Sequence, residues 1–107
     1  MKFTTSNNLV FSNNPNIAYL DFAKLSFPLK LRKWKNGDKF IPFGMRNFKK
    51  LSDFFIDEKY SILDKQSQWL LCSDDDIVWL VGKRIDDRYK IENQTKKAYI
   101  AEIFKTE

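Results

Sequence analysis

The chain has 107 residues, 43% of them hydrophobic, and its 19 basic and 14 acidic residues give a formal net charge of +5. This length fits one ordinary domain, and the composition excludes a disordered tail. No run approaches the roughly 20 apolar residues that span a membrane, and the absence of histidine excludes triads with an imidazole base and His-ligated metal sites. The lone Cys72 can form no internal disulfide, so we expect a cytoplasmic protein with no membrane partner.

The positive charge is concentrated in one segment. Residues 29–50 contain eight basic residues and one acidic residue, a local net charge of +7, whereas the other 85 residues carry 11 basic and 13 acidic groups. Aromatic residues lie between these cations: Trp34, Phe40, Phe43 and Phe48. Such a segment favours a nucleic-acid partner, because rings can stack on bases while cations contact phosphates. The alternative is that the rings belong to the core and the cations form its solvated opposite face.

The first half of the chain predicts short strands. Residues 17–20 read as a strand, after which Asp21 can cap a single helical turn. Residues 29–34 alternate in polarity, which predicts a strand with two faces. One face carries Leu29 and Leu31, and the other carries Lys30, Arg32 and Trp34. A turn at 36–38 then leads to a strand over 40–43.

A helix is predicted over residues 49–58. Leu51, Phe54 and Phe55 fall at helical spacing, so we expect them in the core. Lys49 and Lys50 stand at the start of this helix, where the helix dipole disfavours cations. We interpret the start of the helix as a phosphate site, since backbone N–H groups and charge converge there. A solvated surface is the alternative.

The second half of the chain is predicted to be mostly strand. Residues 69–72 and 77–81 flank three aspartates at 74–76 and predict a hairpin, with a turn rather than a cation site at the aspartates. The unbroken apolar run predicts a central strand buried on both faces. Its alternation would place Val78 and Leu80 on one face, and Ile77, Trp79 and Val81 on the other. Further strands are expected at 89–91 and 98–104, which makes seven or eight short strands with one or two short helices, a β-dominated α+β fold.

Three blocks of the sequence resemble one known family. Residues 31–45 (LRKWKNGDKFIPFGM) resemble its LRxWxxGDxFxPxGM block, residues 49–57 (KKLSDFFID) its KKLSDFFID block, and residues 77–86 (IVWLVGKRID) its IVWxxGxRID block. The three occur in the family's order and span about residues 29–99. On these motifs the chain is identified as a member of the C-terminal domain family of tRNA(Ile)-lysidine synthetase, a bacterial ATP-dependent ligase. This enzyme converts the wobble cytidine of an isoleucine tRNA to lysidine.

The resemblance implies a layered, β-sandwich-like fold, shared with the β-subunit of phenylalanyl-tRNA synthetase. It implies that residues 1–107 form a single tRNA-recognition domain of a larger enzyme. ATP, Mg²⁺ and the substrate lysine would be bound by the N-terminal catalytic domain of the same chain. We expect no catalytic, ATP-binding or metal-binding residue and no cofactor in this segment. The implied partners are the acceptor stem of tRNA(Ile), the catalytic domain, and a second copy in a homodimer.

The expected RNA-contacting residues are cations in or beside the motif blocks. They are Arg32, Lys33, Lys35, Lys39, Arg46, Lys49, Lys50 and Arg84. The alternative function is a domain that braces the rest of the enzyme or forms its dimer without touching RNA. In that case Trp34, Phe43 and Phe48 would form the apolar contact surface.

Overall fold

The computed structural model describes residues 1–8 and 12–104, which form nine strands and two α-helices. The strands are β1 (Lys2–Ser6), β2 (Ile17–Asp21), β3 (Lys30–Lys33), β4 (Lys39–Phe40), β5 (Lys49–Lys50), β6 (Trp69–Ser73), β7 (Asp76–Leu80), β8 (Arg84–Ile85) and β9 (Ala98–Glu102). The helices are α1 (Leu51–Asp57) and α2 (Ile62–Ser67), with 3₁₀ turns at Phe22–Lys24 and Asp87–Tyr89. The expected β-dominated α+β class is confirmed, with nine described strands where seven or eight were expected.

The strands form three antiparallel sheets arranged in layers. The middle layer has the order β3-β6-β7-β8, a second sheet has the order β1-β9-β2, and β4 pairs with β5. One face of the middle sheet packs against α1 and β4 through a core that includes Phe40, Phe54 and Phe55. The opposite face packs against the three-stranded sheet through a second core that includes Leu20 and Trp79.

The helical spacing identified the core residues of α1 correctly. Leu51 and Phe55 are fully buried, and Phe54 is 2% exposed. The helix begins at Leu51, however, and not at residue 49. Lys49 and Lys50 form β5, and Lys50 precedes the helix with extended backbone angles. The predicted start of the helix was therefore wrong, because pairing with β4 holds both lysines in a strand.

The central strand β7 is buried on both faces as expected, but its alternation is broken. Leu71 pairs with Trp79 and the next residue, Cys72, pairs with Ile77, so Val78 is an extra residue in β7. This bulge changes the phase of the side chains. Ile77 therefore packs with Leu80 on the α1 side, while Val78 packs with Trp79 on the other side. The predicted assignment of residues 77–81 to faces was wrong for this reason.

Local hydrogen bonds shorten two predicted strands. The strand expected at 40–43 ends at Phe40, because the N–H of Ile41 donates to the Asp86 side chain and Pro42 has no N–H. The strand expected at 89–91 does not form: Tyr89 ends a 3₁₀ turn in which Asp86 also accepts from the N–H of Arg88, and Lys90 makes only an isolated antiparallel bridge with Leu20. Other predictions hold: the 29–34 alternation matches the β3–β6 register, and Asp21 caps its turn. Asp74 and Asp75 form the β6–β7 turn, whereas the third aspartate already begins β7.

Three elements were missed in the sequence, namely β1, α2 and the two-residue strand β8. β1 has the mostly polar sequence KFTTS and is held by main-chain pairing with β9, which leaves no apolar pattern to detect. α2 begins with a capping box, in which Ser61 accepts from the N–H of Asp64 and the Asp64 carboxylate accepts from the N–H of Ser61. The helix has no buried residue, so its sequence carries no core stripe.

Candidate nucleic-acid interface

Two lysines of the charged segment lie directly opposite each other in the β4–β5 pair. The register places Lys39 across from Lys50 and Phe40 across from Lys49. Residues that lie opposite in an antiparallel pair share a face, and like charges in that position repel. Phe40 is fully buried, whereas Lys39 and Lys50 are exposed on the outer face. Repulsion between the two lysines therefore slightly destabilises the fold, and neither lysine forms a salt bridge within the described residues.

An exposed aromatic ring lies beside this pair. The ring of Phe48 is centred 4.7 Å from Lys39 Nζ and 4.9 Å from Arg88 Cζ, and Phe48 is 50% exposed. Arg88 is held in place by the buried Asp86, with two donor–acceptor distances of 3.0 Å. Lys39, Phe48 and Lys50 are called the cationic face below. Arg88 was missed in the sequence, although it is the second residue after the third motif block.

The loop that carries Phe48 is anchored to the segment after β7. The N–H of Phe43 donates to the Ile85 carbonyl at 3.0 Å, and the N–H of Gly44 donates to the Asp87 carboxylate at 3.0 Å. Gly44 has φ +88°, a conformation that favours glycine. The loop therefore has a defined path while Phe43 and Phe48 remain about half exposed.

The guanidinium of Arg32 is bound within the domain by an internal carboxylate. Its two terminal nitrogens donate to Asp38 at 2.8 and 2.9 Å, a bidentate pair that closes the turn between β3 and β4. Burial alone would raise the pKa of Asp38. Hydrogen bonds from Arg32 and from the N–H of Lys35, with the charges of both residues, outweigh it and lower the pKa below its usual value. The structure thus assigns Arg32 a structural contact that sequence reasoning had not foreseen.

Lys49 also has an internal partner. Its Nζ forms an ion pair with Asp57, the last residue of α1, and its side chain is 26% exposed. A carboxylate at that end of a helix is unfavourable, and the lysine offsets it. The phosphate site predicted at the helix start therefore lacks its first lysine, and α1 is a helix of seven residues with Lys50 alone before it.

Two further predicted residues lie on other parts of the surface. Lys33 Nζ lies 4.1 Å from the Trp69 ring centroid and donates to the Gln66 carbonyl at 2.8 Å. Arg84 lies 3.9 Å from Glu58, and both side chains are more than 40% exposed, so their pairing is weak. Neither residue contacts the cationic face in the described part of the chain.

The remaining predicted residues are exposed cations. Lys35 lies in the loop before β4, and Arg46 lies in the loop that joins β4 to β5, between Lys39 and Lys50 in sequence. Within residues 1–8 and 12–104, the side chains of Lys35, Arg46 and Lys50 have no hydrogen-bond or ion-pair partner. These three residues, Lys39 and the exposed Lys30 are the cations of the segment best able to meet an external anion.

The described residues offer no metal centre and no membrane-spanning helix. No three His, Cys, Asp or Glu side chains in them are grouped so that they could hold a metal ion. None of the described helices has the length and apolar character needed to cross a bilayer.

The fold and the cationic face define a layered, β-rich domain that presents unneutralised cations beside an exposed ring. Residues 29–102 match the family described as the TilS substrate C-terminal domain. The chain belongs to this family, which confirms the resemblance seen in the three motif blocks.

The relatives are tRNA(Ile)-lysidine synthases that are much longer than this chain. The tRNA(Ile)-lysidine synthase of Parabacteroides distasonis is 59% identical over 87 residues, which cover 81% of this chain and 20% of that protein. The synthase of Bacteroides thetaiotaomicron is 46% identical over 86 residues, with 80% and 20% covered. The chain thus spans about a fifth of the length of the curated relatives that it matches.

Two solved structures share the fold. A crystal structure of a TilS C-terminal domain has a TM-score of 0.79 at 20% identity and covers 92% of this chain and 77% of that chain. An N-terminal fragment of the phenylalanyl-tRNA synthetase β-subunit from Pyrococcus horikoshii has a TM-score of 0.66 at 23% identity and covers 78% and 26%. The layered architecture expected from the resemblance is confirmed.

Proposed function

We propose that residues 1–107 form a single domain that docks tRNA for a cytoplasmic tRNA(Ile)-lysidine synthase. In the whole enzyme, lysine is joined to the wobble cytidine of tRNA(Ile) at the expense of ATP. The residues that bind ATP, Mg²⁺ and lysine belong to the catalytic domain of that enzyme. The cationic face of this domain contacts the duplex of the acceptor stem, away from the site of the reaction.

The observation that carries this proposal is the Lys39–Lys50 pair. Two exposed lysines face each other across two strands, and neither has a described carboxylate partner. A phosphate backbone would neutralise both charges and so relieve their repulsion. Duplex RNA is recognised mainly through phosphates, 2′-hydroxyls and shape, which requires cations on an open surface rather than a deep pocket.

The contacts of the eight predicted cations sort them into three groups. Lys35, Lys39, Arg46 and Lys50 are proposed to touch RNA directly, because none of their side chains forms a hydrogen bond or ion pair within the described residues. Arg32 and Lys49 are proposed to support the surface through Asp38 and Asp57. Lys33 and Arg84 lie outside the cationic face, so this proposal does not depend on them.

A second candidate function is bracing the rest of the enzyme or forming its dimer. The observation in its favour is α2, where Ile62 and Leu63 are each 72% exposed and no residue is buried. Trp34, which was expected on such a surface, is instead half-buried with its ring centroid 5.0 Å from that of Phe55. A bracing surface would therefore centre on α2 and leave the cationic face free.

A salt-dependent tRNA titration separates the two functions. We expect the Lys39→Ala/Lys50→Ala variant to bind tRNA more weakly and to lower the slope of log affinity against log salt by about one to two. The matched control is Lys96→Ala, which removes an exposed charge outside the segment. The Ile62→Ser/Leu63→Ser variant should leave tRNA affinity unchanged. An unchanged slope for the double lysine variant, with altered hydrodynamic mass for the α2 variant, would favour bracing instead.

A further inference from the structure

The second hydrophobic core is open on the side of the domain where β1 and β3 lie. Each of these strands is the last in its sheet, and no described strand lies beside its outer edge. Both edges lie on the same side of the domain, because β2 and β8, at the opposite ends of the two sheets, contact each other. The unpaired N–H and C=O groups of such edges are available to another stretch of protein.

Four aromatic rings connect the two edges. Tyr99 of β9 packs against the second core, and its ring centroid lies 5.7 Å from that of Phe3 in β1. The ring centroid of Phe27, in the segment that leads into β3, lies 5.2 Å from those of both Tyr99 and Phe22. Phe3 is 42% exposed and Phe27 is 48% exposed. The rings therefore form a continuous apolar surface from β1 to the segment before β3.

Two further apolar side chains are exposed at the β3 end of the middle sheet. Leu31 of β3 lies opposite Leu71 of β6, so the two side chains share a face, and Leu71 is buried in the second core. Trp69 lies two residues before Leu71 in β6 and is on the same face. Although Lys33 lies over the Trp69 ring, Trp69 and Leu31 are each 45% exposed. The three-stranded sheet therefore leaves this end of the middle sheet uncovered.

The rest of a synthase would be connected next to this surface. The family is described as a C-terminal domain, and the chain spans about a fifth of the length of its curated relatives. Most of such an enzyme therefore precedes this domain and leads into β1, the strand that carries Phe3. A covalent connection raises the effective concentration of the neighbouring part to about the millimolar range, so a modest apolar contact is enough to hold the two parts together.

We propose that the outer edges of β1 and β3, with Phe3, Phe27, Leu31 and Trp69, pack against the part of the synthase that precedes this domain. These strands and side chains are called the open edge below. The inference rests on the part of the proposed function that makes the chain a domain of a synthase, and not on RNA binding. Rings beside unpaired strand edges suit a protein surface, which can cover the rings and pair with the free main-chain groups. The open edge contains no residue of α2, β4 or β5.

The test measures amide hydrogen exchange in the full-length synthase without tRNA. Leu31→Glu places a charge in the proposed contact. We expect this variant to exchange the amides of β1 and β3 about tenfold faster, because their edges become exposed to water. Exchange should also become faster in one segment of the preceding part of the enzyme, which would lose its cover at the same time. Ile62→Glu, at an exposed apolar residue of α2, is the matched control and should change neither.

A second variant separates a contact from a local disturbance of β3. Phe3→Glu changes the other edge strand and should speed exchange in the same segment of the preceding part, while the amides of β6 and β7 keep their rates because the domain stays folded. Unchanged exchange outside this domain in both variants would overturn the inference, and so would an equal effect of Ile62→Glu. Protection of the open edge that disappears on dilution would also overturn it, because a second copy would then be the occupant. Since no tRNA is present, none of these results depends on whether the cationic face binds RNA.

Discussion

Lys39 and Lys50 lie directly opposite each other across β4 and β5, while Lys49, next to Lys50 in the chain, is paired with Asp57. Neighbouring lysines in one motif block therefore have different surroundings. One faces a like charge, and the other neutralises a carboxylate. This difference can be tested with single substitutions.

Lys50→Ala and Lys49→Ala should have opposite effects. Lys50→Ala should leave the free energy of unfolding unchanged or slightly higher, because it removes a cross-strand repulsion, and should weaken tRNA binding. Lys49→Ala should lower the free energy of unfolding by up to about 1 kcal/mol, because it breaks a partly exposed ion pair, with little change in the salt slope. Urea denaturation and salt-dependent titration measure the two quantities. If the two variants changed the free energy of unfolding and the salt slope equally, the different surroundings assigned to Lys49 and Lys50 would be contradicted.

Asp38→Asn should reduce stability at neutral pH and flatten its acid dependence. The ionised Asp38 accepts from Arg32 and from the N–H of Lys35, so the variant should lose about 2 kcal/mol at pH 7. Because the folded pKa of Asp38 is lowered, its contribution is present above the unfolded value of about 4 and is lost as the pH falls through the folded value. The difference in free energy of unfolding between the wild type and Asp38→Asn should therefore shrink below about pH 4. Urea denaturation across pH measures it, with the exposed Asp75→Asn as the control.

Phe54→Ala should lower the free energy of unfolding by about 3–5 kcal/mol. The ring is 2% exposed and contacts the Phe40 ring edge-on at 5.4 Å between centroids. Phe48→Ala, at a ring that is 50% exposed, is the matched control and should cost less than about 1 kcal/mol. Denaturant unfolding of both variants tests the assignment. A loss below about 1 kcal/mol for Phe54→Ala would show that α1 does not pack as described.

Tyr60→Phe should remove part of the alkaline loss of stability. Burial, with the nearby charges of Asp64 and Glu58, raises the pKa of Tyr60 to about 12. Its hydroxyl donates to Gln68 at 2.6 Å, so the variant should be about 1 kcal/mol less stable at pH 8. The raised folded pKa means that this advantage is present below the unfolded value of about 10 and is lost as the pH rises towards 12. Stability curves that stay parallel from pH 8 to pH 12 would contradict this.

The sequence alone predicted the features that depend on local spacing. The two faces of residues 29–34, the core side of α1 and the β6–β7 hairpin could all be read from apolar periodicity, because burial repeats with the period of the backbone. The motif blocks also identified the family. They contain turn and core residues of β3, β4, α1 and β7. Polar elements such as β1 and α2 were missed, because they lie on the surface without a core stripe.

Only the tertiary structure decided which charges are available. Eight basic residues in one segment look alike in sequence, but distant partners neutralise some of them and not others. Lys49 meets Asp57 across α1, and Arg88 reaches Phe48 from beyond β8. The extra residue at Val78 likewise changes the phase of the central strand without a sequence signal. Coulomb attraction depends on distance in space rather than along the chain, so the folded structure determines which cations remain for an external anion.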